Sequence, residues 1–235
     1  MRLLWRLGGL DSPIVLMVHG FKAAPSSAFE LKASSFDRLM TYLSDNGWHA
    51  MTQEELLKGR WERKSFYLTF DDIYDTVYTE AYPFLQRSQI PFTIFVTKDL
   101  VDKPGFITME HLKALAADPL CLVGCHGIEH KMFRYFSPEE MTRQCEEERT
   151  WLEDALGVKV DSFAFPYGRI VEVSCKNRRQ IKNMGFDVAF SAIEGTLRSR
   201  WFTGRHFLPR VNVSERFVNK MIDGGFPKYK DCEGR

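Results

Sequence analysis

The adjacent carboxylates Asp71 and Asp72 close the stretch FYLTFDD, and His126 and His130 bracket HGIEH. One carboxylate and two imidazoles make the donor set of a catalytic divalent-metal site, which grips the ion on one side and leaves positions for water and substrate. His19 in VLMVHGF, Tyr167 in FPYG and Arg210 in LPRVNV are further polar residues set against apolar runs. Each feature also has a plain structural reading. A single histidine after an apolar run is most often a hydrogen-bonded core residue, DDIYD can be an N-cap cluster, and PYG is an ordinary turn. An isolated H-x-x-x-H is a weak signal.

The elements that carry these residues strengthen the chemical reading. Short apolar runs at 13–20, 66–70, 91–96, 121–126, 162–165, 186–191 and 207–213 predict strands. Between them, helical patterns fall near 36–46, 76–88, 108–117, 137–157 and 175–184, and Ser214 opens a last helix. The 137–157 helix has Ser137 as N-cap, Pro138 in its first turn and Gly157 as its stop. Seven β/α units in series predict an α/β fold with a parallel sheet, a distorted (β/α) barrel of about seven strands, closed or nearly closed. An open doubly wound sheet is the main competitor. Both architectures gather ligand chemistry at the carboxyl ends of strands. His19 ends the first run, Asp71 and Asp72 the second, His126 the fourth; Tyr167 follows the fifth and Arg210 lies within the seventh. Successive side chains on a strand point to opposite faces, so Asp71 and Asp72 should diverge unless the chain bends there. The i,i+4 spacing of His126 and His130 is read as one side of a helical turn, which Gly127 lets leave the strand.

The bulk numbers agree with an enzyme-sized domain. A chain of 235 residues with 44% hydrophobic and 27% charged residues can form one domain spanning 1–235 with a substantial core. A net charge of +1 gives no general attraction for nucleic acid or an anionic membrane. KNRR at 176–179 reads as a solvated helix face. Five cysteines in no framework spacing suggest reduced thiols, and Cys121 and Cys125, lacking a second pair, read as buried structural thiols. MRLLWRLGGLDSP is too short for a signal-peptide core, and no apolar run is long enough to span a membrane. A cytoplasmic protein is therefore expected.

TFDD (69–72), HGIEH (126–130) and FPYG (165–168), in this order, resemble the polysaccharide deacetylases, the chitooligosaccharide-deacetylase-like group of carbohydrate esterase family four. The resemblance spans His19 through LPRVNV and marks a divergent member. It implies a distorted (β/α) barrel and a divalent metal, usually zinc, used to remove N-acetyl and sometimes O-acetyl groups from sugars. Carried over by motif, it makes Asp71 the general base, Asp72, His126 and His130 the metal ligands, and Tyr167 the residue whose backbone N–H helps hold the oxyanion. The chain departs from the family at several positions. Gly127 stands where Ser or Thr often follows the first histidine, so a supporting loop hydrogen bond is expected to be missing. Ala164 stands where an arginine commonly orients the catalytic aspartate, and Arg210 is the candidate replacement. Phe190 stands in place of a tryptophan. The histidine that supplies the general acid is not recognisable; His19 and His206 are the candidates, with His19 favoured because it ends a strand.

The leading expectation is a metal-dependent hydrolase acting on an N-acetylated sugar or glycan, with a role in surface-glycan synthesis on cytoplasmic precursors. Imidazole-rich ligation favours zinc over cobalt, nickel and manganese. The alternative is a non-catalytic carbohydrate- or metal-binding protein on a deacetylase scaffold. Retention of Asp71 argues against it, because a binding relic has no use for a base. VLMVHGF also looks like an α/β-hydrolase oxyanion strand, but no G-x-S-x-G nucleophile elbow accompanies it.

Overall fold

The computed structural model describes residues 11–198 and 204–224. Cys232 and most of the N-terminal stretch read above, residues 1–10, lie outside the described residues.

Strand β1 (Ile14–Val18) is IVLMV and buried throughout. Two short strands, β2 (Gly20–Phe21) and β3 (Glu30–Leu31), pair in parallel beyond it. Helix α1 (Ala33–Asp45) sinks Phe36, Leu39, Met40 and Leu43 into the core, the i, i+3, i+4, i+7 stripe of an amphipathic helix. β4 (His49–Ala50) and α2 (Gln53–Lys58) follow; a Thr52–Glu55 capping box starts α2 and left-handed Gly59 ends it. Both are too short for a periodic signal and were not expected from the sequence.

β5 (Ser65–Phe70) is fully buried, and a π turn at 77–81 leads into α3 (Tyr82–Ser88). β6 (Phe92–Val96) and α4 (Met109–Ala116) come next, then β7 (Cys121–Cys125). The long helical segment begins at the Ser137 cap as α5 (Pro138–Thr142), passes through a π turn at 143–147, and continues as α6 (Glu148–Leu156) to left-handed Gly157. β8 (Ser162–Ala164), α7 (Cys175–Asn183), β9 (Val188–Glu194), β10 (Leu208–Asn212) and α8 (Glu215–Ile222) complete the series.

Seven strands close a parallel barrel in the order β1, β5, β6, β7, β8, β9, β10, because β1 pairs with both β5 and β10. The barrel is closed, which removes the open-sheet competitor. Short β4 adds to the first residues of β5, below the point where β6 joins. The strand pleat sorts side chains into two packed layers. Val15, Tyr67, Phe95, Ala164, Phe190 and Leu208 fill the barrel interior. Ile14, Leu16, Phe66, Leu68, Phe70 and Ile94 face outward into the helices. Tyr67 stacks on Phe190 at 5.7 Å with the rings nearly parallel, and its hydroxyl is satisfied by Thr93. Truncating either ring to alanine would cost about 3–5 kcal/mol. Cys121, Cys125 and Cys145 are buried and reduced, and burial raises their thiols well above the usual range. Among the described residues no helix is long and apolar enough to cross a membrane.

Candidate active site

The carboxyl ends of β1, β5, β7 and β8 meet at one mouth of the barrel, and the polar residues identified from the sequence collect there. On β5 the inward positions are Tyr67 and Thr69, alternating with the outward phenylalanines and leucine, and Asp71 continues that alternation just past the strand's end. Asp71 is 3% exposed, and its backbone N–H donates to Val18 O at 2.9 Å. The chain then bends: Asp72 has φ +61° and Ile73 φ +39°. Two successive left-handed residues outside glycine are uncommon and strained. They turn Asp72 away from the barrel axis toward His126 and His130, so the divergence expected of a straight strand is produced by a bend.

Asp72 Oδ1 lies 3.3 Å from His126 Nε2 and 3.0 Å from His130 Nε2. These are the one group of potential metal-ligand side chains that converges among the described residues, with all donor atoms within 4.8 Å of one another. His126 is buried and its Nδ1 faces Ala164 O at 2.7 Å. A carbonyl accepts only from N–H, so Nδ1 carries a proton, and in the neutral ring Nε2 presents its lone pair, the arrangement by which metal-ligating histidines are oriented. Asp72 Oδ1 is sealed from solvent without a hydrogen-bond donor of good geometry. Lone pairs from a carboxylate and an imidazole facing each other call for a cation between them. The residues therefore fit a divalent metal. The electrostatics favour positive charge at this point, whether carried by a metal ion or by a protonated imidazole. Burial opposes ionisation of Asp72, but His126 and His130 outweigh it and hold the carboxyl far below its usual range. Burial also opposes a charge on His126, yet Asp71 and then Asp72 raise that imidazole above its usual range.

The helical turn expected for His126 to His130 is not what forms. Residues 126–130 are a loop, with Gly127 at φ +86° and His130 at φ +49°. The rings still come together, with centroids 5.0 Å apart. Gly127 offers no side chain to support the loop, but its backbone N–H donates to Glu148 Oε2 at 2.7 Å.

Arg210 is 1% exposed and reaches across the barrel from β10. Its Nη1 and Nη2 donate to Asp71 Oδ1 and Oδ2, each at 2.6 Å. Nε donates to Ser191 O at 2.7 Å and Nη1 also to Thr69 Oγ1 at 3.2 Å. Burial works against a charged Asp71, but Arg210 overcomes it and keeps the carboxyl below its usual range. Phe190 lies beneath, its ring 5.9 Å from the guanidinium carbon.

His19 follows β1 at the same mouth, edge-on to Phe29 with ring centroids 4.9 Å apart. Its Nδ1 is buried without a hydrogen-bond partner. Burial lowers its pKa, while nearby Asp71 and Asp72 pull in the opposite direction. His206 is elsewhere. Its Nε2 contacts Phe186 O at 2.9 Å, where β9 and β10 begin, so it sits at the opposite end of the barrel and cannot reach this mouth.

Tyr167 has φ +61°, and its half-exposed ring packs against His130 with centroids 4.9 Å apart. Its backbone N–H has no hydrogen-bond partner among the described residues. The turn depends on Gly168, at φ +64°, where an added Cβ would lie 2.5 Å from Ala192 N. The sequence reading missed Thr69, Ser191, Gln144 and Glu148. Thr69 was legible as an inward position of the TFDD strand; the other three carry no local signal.

The chain has counterparts among known proteins. Over 211 residues the chain is 22% identical to the poly-beta-1,6-N-acetyl-D-glucosamine N-deacetylase of Staphylococcus aureus (strain MRSA252), covering 83% of this chain and 71% of that one. The structure of IcaB from Ammonifex degensii superposes with a TM-score of 0.77 at 24% identity, covering 91% of this chain and 96% of that chain. The Streptococcus pyogenes deacetylase PplD, solved with acetate, gives a TM-score of 0.77 at 18% identity over 92% of this chain and 99% of that chain. These likenesses establish the shared fold. The polysaccharide deacetylase family model matches residues 58–189, more than half of the chain and the part that holds Asp71, Asp72, His126, His130 and Tyr167, and the chain belongs to that family of hydrolases.

Proposed function

We propose that the protein is a metal-dependent N-deacetylase of an N-acetylated aminosugar polymer, with Zn²⁺ as the cofactor. The single observation that carries this reading is the convergence of Asp72, His126 and His130 beside an Asp71 locked by Arg210. Two imidazoles and one carboxylate suit zinc, and the set leaves positions open. When bound, such an ion supplies Lewis acidity and acidifies a coordinated water toward a pKa of about 7.

The chain's own residues supply the rest. Asp71, kept ionised by Arg210, accepts the proton that water loses as its oxygen adds to the acetyl carbonyl carbon. Bidentate contact with Arg210 makes Asp71 a weak base but a fixed one. The unpaired Tyr167 N–H donates to the oxyanion; one such donor is worth about 3–4 kcal/mol of barrier. The C–N bond then breaks, acetate forms, and the leaving amine takes a proton from His19. Burial opposes a charge on His19 while Asp71 and Asp72 favour it, so the imidazole passes to the amine the proton that Asp71 took from water. The exposed Tyr167 and Phe29 rings flank this mouth.

The polymer is assigned to the β-1,6-linked N-acetylglucosamine class, following the Staphylococcus aureus relative. Acetate release from that polymer and from chitooligosaccharides tests the reading. Release that stops with a chelator, returns with Zn²⁺ and is lost in Asp71→Asn supports it. Unchanged turnover after both treatments would overturn it. Metal bound at Asp72 with no acetate released from any acetylated sugar would instead indicate a binding protein.

A further inference from the structure

Three consecutive backbone N–H groups lie between His126 and His130, and two side chains of one helical segment hold all three. Glu148 Oε2 accepts from Gly127 N–H at 2.7 Å. Gln144 Oε1 accepts from Ile128 N–H at 2.8 Å and from Glu129 N–H at 3.2 Å. Gln144 and Glu148 are both fully buried. They stand on and just after the π turn at 143–147, a local widening of a helix that recurs at functional sites.

Each clamp residue is itself anchored. Gln144 Nε2 donates to Glu140 Oε1 at 3.1 Å, and Glu148 Oε1 accepts from Lys98 N–H at 3.2 Å, just past the end of β6. Val96 O and Asp99 N–H hold the other side of the loop through His126 N–H and Ile128 O, at 2.8 and 2.9 Å. The loop needs such outside partners. Its left-handed residues, Gly127 and His130, prevent the regular internal hydrogen bonds by which a helix would fix the two imidazoles. A side-chain hydroxyl at 127 is no substitute, since φ there is +86° and an added Cβ would meet Phe133 at 3.3 Å.

We propose that Glu148 and Gln144 are positioning residues that set the spacing of His126 and His130 and so the affinity and geometry of the metal site. They reach the ligands only through the loop backbone. This inference rests on the proposed metal site, and the experiment separates the two. The purified full chain, stripped of metal, is titrated with Co²⁺ and with Zn²⁺ against a chromophoric chelator. The visible Co²⁺ spectrum and the thermal unfolding of apo and loaded protein are recorded alongside. Gln144→Met and Glu148→Ala are expected to weaken metal binding about 10–100-fold, the usual effect of removing a group that orients a ligand, and to alter the Co²⁺ bands. Glu148→Gln keeps one oxygen for Gly127 N–H and should recover much of the loss. Glu153→Ala serves as control: Glu153 lies in the same helix but accepts from Val160 N–H at 2.9 Å, away from the loop. It should lower the unfolding temperature and leave affinity unchanged. If Glu148→Ala does not fold, Gln144→Met and Glu148→Gln decide the question. Folded variants with wild-type affinity and an unchanged Co²⁺ spectrum overturn the clamp. A wild-type chain whose metal binding is indifferent to Asp72→Ala overturns the metal site itself.

Discussion

Arg210 and Asp71 form a buried bidentate pair across the barrel, two charge-assisted hydrogen bonds of 2.6 Å joining β10 to the end of β5. The pair fixes both the position and the ionisation of the carboxylate proposed as base. It also makes each partner dependent on the other, because an unpaired charge in this interior is costly.

Removing one partner should therefore expose two separable effects. Asp71→Asn keeps the shape and should reduce acetate release about 10²–10⁴-fold with metal still bound. Arg210→Met leaves Asp71 buried and unpaired, at a cost of about 3–5 kcal/mol, which lowers the unfolding temperature on the order of 10 °C. The acid limb has a defined sign. The folded-state pKa of Asp71 is depressed, so the stability it contributes is present above the unfolded value of about 3.9 and is lost as pH falls through the folded value. Thermal melts between pH 2 and pH 7 of wild type and Asp71→Asn measure that difference.

Metal loading should stabilise the fold. Zn²⁺ at about 100 times its Kd adds roughly 2.7 kcal/mol, or about 5–10 °C in unfolding temperature for a chain of this size. Asp72→Ala and His130→Ala should abolish the increment. Scanning calorimetry with and without chelator reads it directly, and an equal increment in Asp72→Ala would contradict the ligand assignment.

The two histidine candidates for proton donation are separated by the length of the barrel, so their substitutions should differ. His19→Gln is expected to slow amide hydrolysis about 10²–10⁴-fold. The loss should be much smaller on an aryl acetate, whose leaving group needs no proton. His206→Gln should leave both rates unchanged. Steady-state kinetics on the paired substrates check this, and equal losses on amide and ester would remove His19 from the role.

Glu148 should make the apo protein less stable as pH rises. Burial pushes its carboxyl up to about 8, against an unfolded value of about 4.3. Between those values the folded chain holds a proton that the unfolded chain has released. That advantage is fully present below about pH 4.3 and is lost as pH rises through about 8. Denaturant midpoints of the chelated protein at pH 5.5 and pH 8 should show the decline in wild type and a flatter profile in Glu148→Gln.

The barrel itself was legible because each strand is an apolar run of five or so residues between turn signals, and all seven runs became barrel strands. Ser137 and Gly157 bounded their helix as expected, since a cap and a left-handed stop act through neighbouring backbone groups. β4 and α2 escaped notice because two and six residues are too few for a period. The helical reading of His126 to His130 failed for a related reason. An i,i+4 spacing describes a helix only if the dihedral angles are helical, and Gly127 and His130 are left-handed here.

By itself, the sequence determined which residues stand where strands end: His19, Asp71, Asp72, His126 and Tyr167 at one rim, with Arg210 inside the last strand. Hydrophobic periodicity and local turn chemistry are enough for that, because they act over a few residues. Only the tertiary structure decided which of those residues meet. Closure of the barrel brings Arg210 to Asp71 across 139 positions of chain. The bend at Asp72 turns one carboxylate to the histidines while its neighbour stays on the axis. The same closure sends His206 to the far end and lets Gln144 and Glu148 grip the histidine loop. Such pairings arise from packing between distant segments, and no local pattern in the chain records them.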